Sequence, residues 1–111
     1  VDYNPDKWLM VKLTNVKDSK SHYRIFATWY GGYLGNDSWK LNSGVTGIDF
    51  VNDVYSFAGS SGSVYHCHKD MYGSSGYGHG VLQNLIDQSK EQVAIEVMPE
   101  DTDFLTLDYT T

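Results

Sequence analysis

The chain has 111 residues, of which 41% are hydrophobic, 20% charged and 14% aromatic, and its formal net charge is −6. These figures describe one globular domain over residues 1–111, long enough to bury a core without metal or disulfide staples, and they exclude a disordered chain. One Cys cannot make an internal disulfide framework, no apolar run approaches the ~20 residues of a membrane helix, and the N-terminus carries no signal-peptide pattern.

Gly, Ser and Asn divide the chain into short runs rich in Val, Ile, Tyr, Phe and Trp, a strand signature. Residues 8–13 predict a first strand with Leu9, Val11 and Leu13 on one face. A polar loop follows, and residues 23–30 predict a second strand. There Tyr23, Ile25, Ala27 and Trp29 share one face, and Arg24, Phe26, Thr28 and Tyr30 the other. Two apolar faces place this strand centrally. A Gly-rich loop containing Tyr33 leads to a short strand at 39–41. Residues 45–68 read as a three-stranded antiparallel meander, turning at Asn52-Asp53 and Ser60-Ser61-Gly62.

Residues 72–80 are Gly-, Ser- and Tyr-rich and read as a connector. A helix follows at 80–89, where Val81, Leu82, Leu85 and Ile86 form one apolar stripe and Lys90 suits the C-terminal dipole. Residues 92–97 alternate, with Val93, Ile95 and Val97 inward, until Pro99 ends the run. Residues 104–109 complete the set as a last strand, with Leu105, Leu107 and Tyr109 on one face. The expected fold is α+β and mostly β: a strongly bent antiparallel sheet or small barrel of about six strands, closed on one side by the helix.

The charge is uneven. Residues 1–86 hold seven acids and seven bases, whereas residues 87–111 hold seven acids against Lys90 alone. Glu96, Glu100, Asp101, Asp103 and Asp108 therefore form an acidic end that repels phosphate backbones and attracts a basic partner, or simply keeps the chain soluble. Direct nucleic-acid binding and membrane association are not expected. The acidic spacing is not that of a calcium loop.

Three further segments carry chemistry-bearing residues. Tyr30, Tyr33 and Trp39 lie in an aromatic–glycine loop, where flat rings beside glycines can stack on a glycan, nucleoside or peptide. The alternative is that Trp29 and Trp39 are core residues flanking a turn. In Tyr65-His66-Cys67-His68, both imidazoles point to one side of a strand and the thiol to the other. Two His do not make a zinc site, and the missing ligands would have to come from His22, His79 or Asp70. Cys67 as a nucleophile needs a base across the fold. Two solvent-facing His and a buried Cys are the simpler reading. The Gly-His-Gly start of the helix could hold an anion on free N–H groups, but it matches neither a phosphate loop nor a dinucleotide fingerprint. No catalytic constellation and no cofactor are expected.

The runs Trp29-Tyr30-Gly31-Gly32-Tyr33-Leu34-Gly35-Asn36-Asp37-Ser38-Trp39-Lys40-Leu41-Asn42-Ser43-Gly44 and Ser61-Gly62-Ser63-Val64-Tyr65-His66-Cys67-His68-Lys69, with Tyr72-Gly73, cover about a quarter of the chain. They resemble small uncharacterised accessory proteins of large tailed bacteriophages. The resemblance implies a viral protein in the cytoplasm of an infected bacterium, and it brings no site residues with it. The expected function is non-catalytic: the acidic end binds a host protein with a basic surface, such as a nucleic-acid enzyme or defence factor, and inhibits it. The alternatives are a ligand-binding module on Tyr30, Tyr33 and Trp39, and a zinc- or thiol-dependent enzyme on His66, His68 and Cys67.

Overall fold

A computed structural model describes residues 1–31 and 35–109. Its strands are β1 (Asp2–Tyr3), β2 (Lys7–Asn15), β3 (Ser21–Trp29), β4 (Ser38–Leu41), β5 (Val45–Val51), β6 (Val54–Gly59), β7 (Val64–His68) and β8 (Val93–Val97), with helix α1 (Gly76–Ser89) between β7 and β8. They form two four-stranded sheets, ordered β1-β7-β6-β5 and β4-β3-β2-β8, rather than one bent sheet or a closed barrel. All pairings except the parallel β1–β7 are antiparallel. The α+β, mostly β reading holds.

Why two sheets form is written into β2 and β3. Trp8, Met10, Ile25 and Ala27 are buried against Val45, Phe57, Tyr65 and Cys67 of the other sheet. Leu9, Val11, Leu13 and Phe26 are buried on the opposite face with Leu82 of α1. Two apolar faces demand two covers, so the central sheet lies between the second sheet and the helix. Trp8 is 1% exposed. Its ring centroid lies 5.4 Å from Phe57, 4.7 Å from Tyr72 and 5.2 Å from Phe104. The indole Nε1 donates to the His68 carbonyl at 2.7 Å, so its one polar atom is satisfied.

The meander over β5, β6 and β7 is present as read. Asn52 and Asp53 both take positive φ, 51° and 66°, as a two-residue hairpin of the mirror-image type requires. Two expectations fail. Residues 76–79 are the first turn of α1, not a connector: Ser75 caps it by accepting from the Gly78 N–H at 3.2 Å. Residues 104–109 form no strand. Phe104 is a plug, 3% exposed in the Trp8 cluster, while Leu105 is 50% exposed. Thr106 Oγ1 donates to the Asp103 carbonyl and the Leu105 N–H to Asp103 Oδ1, so the backbone turns instead of extending.

Gly78 is required by packing. A Cβ there would stand 2.8 Å from Thr28 Cγ2, on a buried strand residue, and 2.3 Å from Ser74 Oγ. Gly80 has open space at the same construction. Gly80→Ala is therefore expected to raise unfolding free energy by about 0.5–1 kcal/mol. Gly78→Ala should lower it by about 1–3 kcal/mol by pushing α1 off β3. Urea unfolding of the two variants checks both signs.

Candidate functional site

The acidic end runs through β8, the turn at 99–102 and the segment after it. Among the described residues β8 is the outer strand of its sheet and pairs with β2 alone. Glu96 stands in register with Lys12, yet the two make no ion pair within 4 Å. Glu100 and Asp101 sit on a turn closed by Thr102 donating from N and Oγ1 to the Pro99 carbonyl. Asp103 caps the next turn through the Leu105 N–H. Asp108 is exposed near the end of the segment. Among the described residues, ion pairs use Asp2, Asp53 and Asp70, and none involves Glu96, Glu100, Asp101 or Asp103.

This acidic segment is fixed in place. Phe104 enters the Trp8 cluster. Tyr109 packs edge-on against Tyr23 at 5.6 Å and donates to the Phe104 carbonyl at 2.5 Å. The Met98 N–H bonds the Met10 carbonyl, and the Tyr72 hydroxyl donates to the Met98 carbonyl. Burial, with a smaller contribution from Glu100, pushes the Tyr72 phenol up to about 12, so it stays a donor at neutral pH.

Beside β8 lies a cavity of about 270 Å³. Its walls are Leu9 and Val97 from the sheet and Leu82 and Ile86 from α1, with Ser74, His79 and Gln83 at the rim. Composition gives no hint of it, but the spacing 79, 82, 83 and 86 places four of these residues on one helical flank. A larger hollow of about 630 Å³ adjoins the β2–β3 hairpin, from Asn15 to His22. Two of its polar side chains are spent on the turn: Asn15 Oδ1 and Asp18 Oδ1 accept from the Lys17 and Lys20 N–H groups.

Of the aromatic loop, Tyr30 and Trp39 are among the described residues. Trp39 is 38% exposed and stacks on Phe26 at 5.8 Å, Tyr30 is 51% exposed, and neither lines either cavity. Tyr33 lies outside the described residues. Trp29 is half-buried, and its Nε1 donates to the Asn4 carbonyl.

On β7, His66 and His68 point away from the core and Cys67 into it. No group of three or more metal-ligating side chains occurs among the described residues. His68 Nδ1 accepts from the Asp70 N–H. His66 is placed by register: its Nδ1 lies 2.8 Å from Ser56 Oγ on β6, and its Nε2 lies 3.5 Å from Asp2 on β1. Neither Ser56 nor Asp2 was signalled by the sequence, because only strand register brings them together. The row has hydrolase-like members, but β6 is laddered on both sides, so its N–H groups cannot form an oxyanion hole. Burial raises the Cys67 thiol well above its ordinary range, the reverse of an activated nucleophile.

No family model, no curated protein and no solved structure matches this chain. No helix among the described residues is long and apolar enough to cross a membrane.

Two outcomes follow from the side-chain environments. Cys67 is fully buried and should resist a thiol reagent at about pH 8 in the native protein, then react once denaturant is added. Rapid native labelling would contradict its placement. His22 accepts from Arg24 Nε at 2.9 Å, and burial followed by the Arg24 charge lowers its pKa below 6.5. The unfolded chain thus binds this proton more readily than the fold does. The contribution of His22 to stability is complete above pH 6.5 and declines as pH falls below it. Thermal melts of His22→Gln should show a shallower loss over that acid range than the parent protein.

Proposed function

We propose that this chain is a non-catalytic binding protein that presents its acidic side to a basic surface on a partner protein. One observation carries the reading: Glu96, Glu100, Asp101 and Asp103 are exposed, unpaired with any described cation, and held on a segment pinned by Phe104 and Tyr109. Charges fixed before encounter cost little ordering on binding and accelerate association with a surface of opposite sign. The resemblance to phage accessory proteins supplies the setting, an infected bacterium, and the class of partner, a host enzyme or defence factor with a cationic groove. Inhibition follows where the acidic segment covers a groove that otherwise takes a nucleic-acid backbone.

The test is charge reversal combined with salt. The parent protein, immobilised, should retain a host protein at about 50 mM salt and release it by about 300 mM. Glu96→Lys, Glu100→Lys and Asp101→Lys together leave the Asp103 turn intact and should reduce retention at least tenfold. Equal retention by parent and variant, or binding indifferent to salt, would sink the proposal.

A further inference from the structure

Resting on that reading of the acidic side, we infer that β8 and α1 form a groove taking a basic, extended peptide segment of the partner as an added strand. Three observations meet there. The first is an open sheet edge. Backbone bonds from Met98 N–H to the Met10 carbonyl and from Val16 N–H to the Gln92 carbonyl fix the parity of the ladder. Glu96 and Ala94 then bond inward to β2, and Val93, Ile95 and Val97 turn their N–H and C=O groups outward. Among the described residues no strand lies beyond them. The second is the cavity walled by Leu9, Leu82, Ile86 and Val97, on the helix side of the same strand. The third is charge: Glu96 lies on β8, and Glu100 and Asp101 on the turn that follows it, with no ion-pair partner among the described residues.

Cross-strand geometry converts these into a ligand pattern. In an added antiparallel strand, the residue opposite Val97 projects to the helix side, where an apolar side chain meets the exposed Val97 at the cavity wall. The residue opposite Glu96 projects to the other side, where a Lys or Arg meets the carboxylate. The ligand therefore alternates apolar and cationic residues. Its main-chain bonds to β8 come from the apolar positions, because those face the outward groups of Val97 and Ile95. A second copy of this chain is a poor occupant, since its own β8 carries Glu96 where a cation is needed.

The experiment uses a fluorescein-labelled octapeptide alternating leucine and lysine, with binding to the full chain followed by anisotropy at about 50 mM salt. N-methylation of the leucines removes the N–H groups that bond β8 and should weaken binding about tenfold or more. N-methylation of the lysines should leave affinity within about threefold, because those N–H groups point away from β8. Val97→Pro deletes an outward N–H without touching the β2 ladder and should also weaken binding at least tenfold. If that variant unfolds, the two methylated peptides decide alone. Undetectable binding of the parent peptide overturns the groove, as does equal binding of the two methylated peptides. A peptide that discriminates by charge reversal at Glu96, Glu100 and Asp101, yet ignores leucine methylation, overturns the groove and leaves the acidic reading standing. A peptide sensitive to leucine methylation but blind to the charge reversal overturns the basic ligand assigned here and the acidic reading with it.

Discussion

Burial of β2 on both faces is the constraint from which the remaining architecture follows. Trp8 and Met10 point one way and Leu9, Val11 and Leu13 the other, and all five are 8% exposed or less. A strand of this kind cannot stand at a solvent-facing sheet. Each covered face is worth several kcal/mol, since a large buried apolar side chain contributes about 1.5–3 kcal/mol. The second sheet supplies one cover through Phe57, Tyr65 and Cys67, and α1 supplies the other through Leu82. Where the two sheets leave the Trp8 ring incompletely surrounded, Phe104 fills the space from the C-terminal segment.

That last contact ties the core to the charge. Phe104 is embedded in a segment otherwise rich in carboxylates, so sealing the core also sets the position of Glu100, Asp101 and Asp103. The hydroxyls and carbonyls of the segment close on themselves through Thr102, Thr106 and Tyr109. An acidic tail without such an anchor would lose conformational entropy on meeting a partner. Here the ordering cost is met during folding, and the apolar anchor offsets it.

Strand alternation made most of the fold legible. The two faces of residues 23–29, the meander over 45–68 and the inward Val93 and Ile95 all appear in the structure, because period-2 patterning follows directly from burial of a sheet face, whereas Val97, expected inward, is exposed at the strand end. What misled was residue type. Gly76, Gly78 and Gly80 are poor helix formers, so the first turn of α1 reads as a connector in the sequence. Its formation rests on the Ser75 cap and on Gly78 letting the helix approach Thr28, which are tertiary facts. Residues 104–109 read in the other direction: Phe104 is buried, Leu107 and Tyr109 pack partly on the same core and Leu105 is exposed, so their alternation carries no paired strand. The acidic residues could be counted in the sequence, but their edge and the cavity beside it could not. Leu9 and Val97 share that wall only because β8 crosses back to pair with β2. The Ser56–His66 contact is likewise a product of register.

The four sheet edges show how far β8 differs from its peers. β1 has two residues and β4 four, too short to template a partner. β5 is longer, but a register irregularity between Val45 and Gly47 breaks its line, and Asp49 stands on it. β8 is regular over five residues, carries Val97 at 38% exposure, and opens beside a cavity. Such an edge invites pairing with any exposed strand, including its own copy. Its protection is charge and a proline: Glu96 within the strand, Pro99 just past it, and Glu100 and Asp101 on the turn. A proline limits how far pairing can extend, and like charges oppose self-pairing. Carboxylates do not oppose a cationic strand; they favour it. On the proposed reading, the charge that opposes pairing of two copies is the same feature that selects a strand alternating apolar and basic residues.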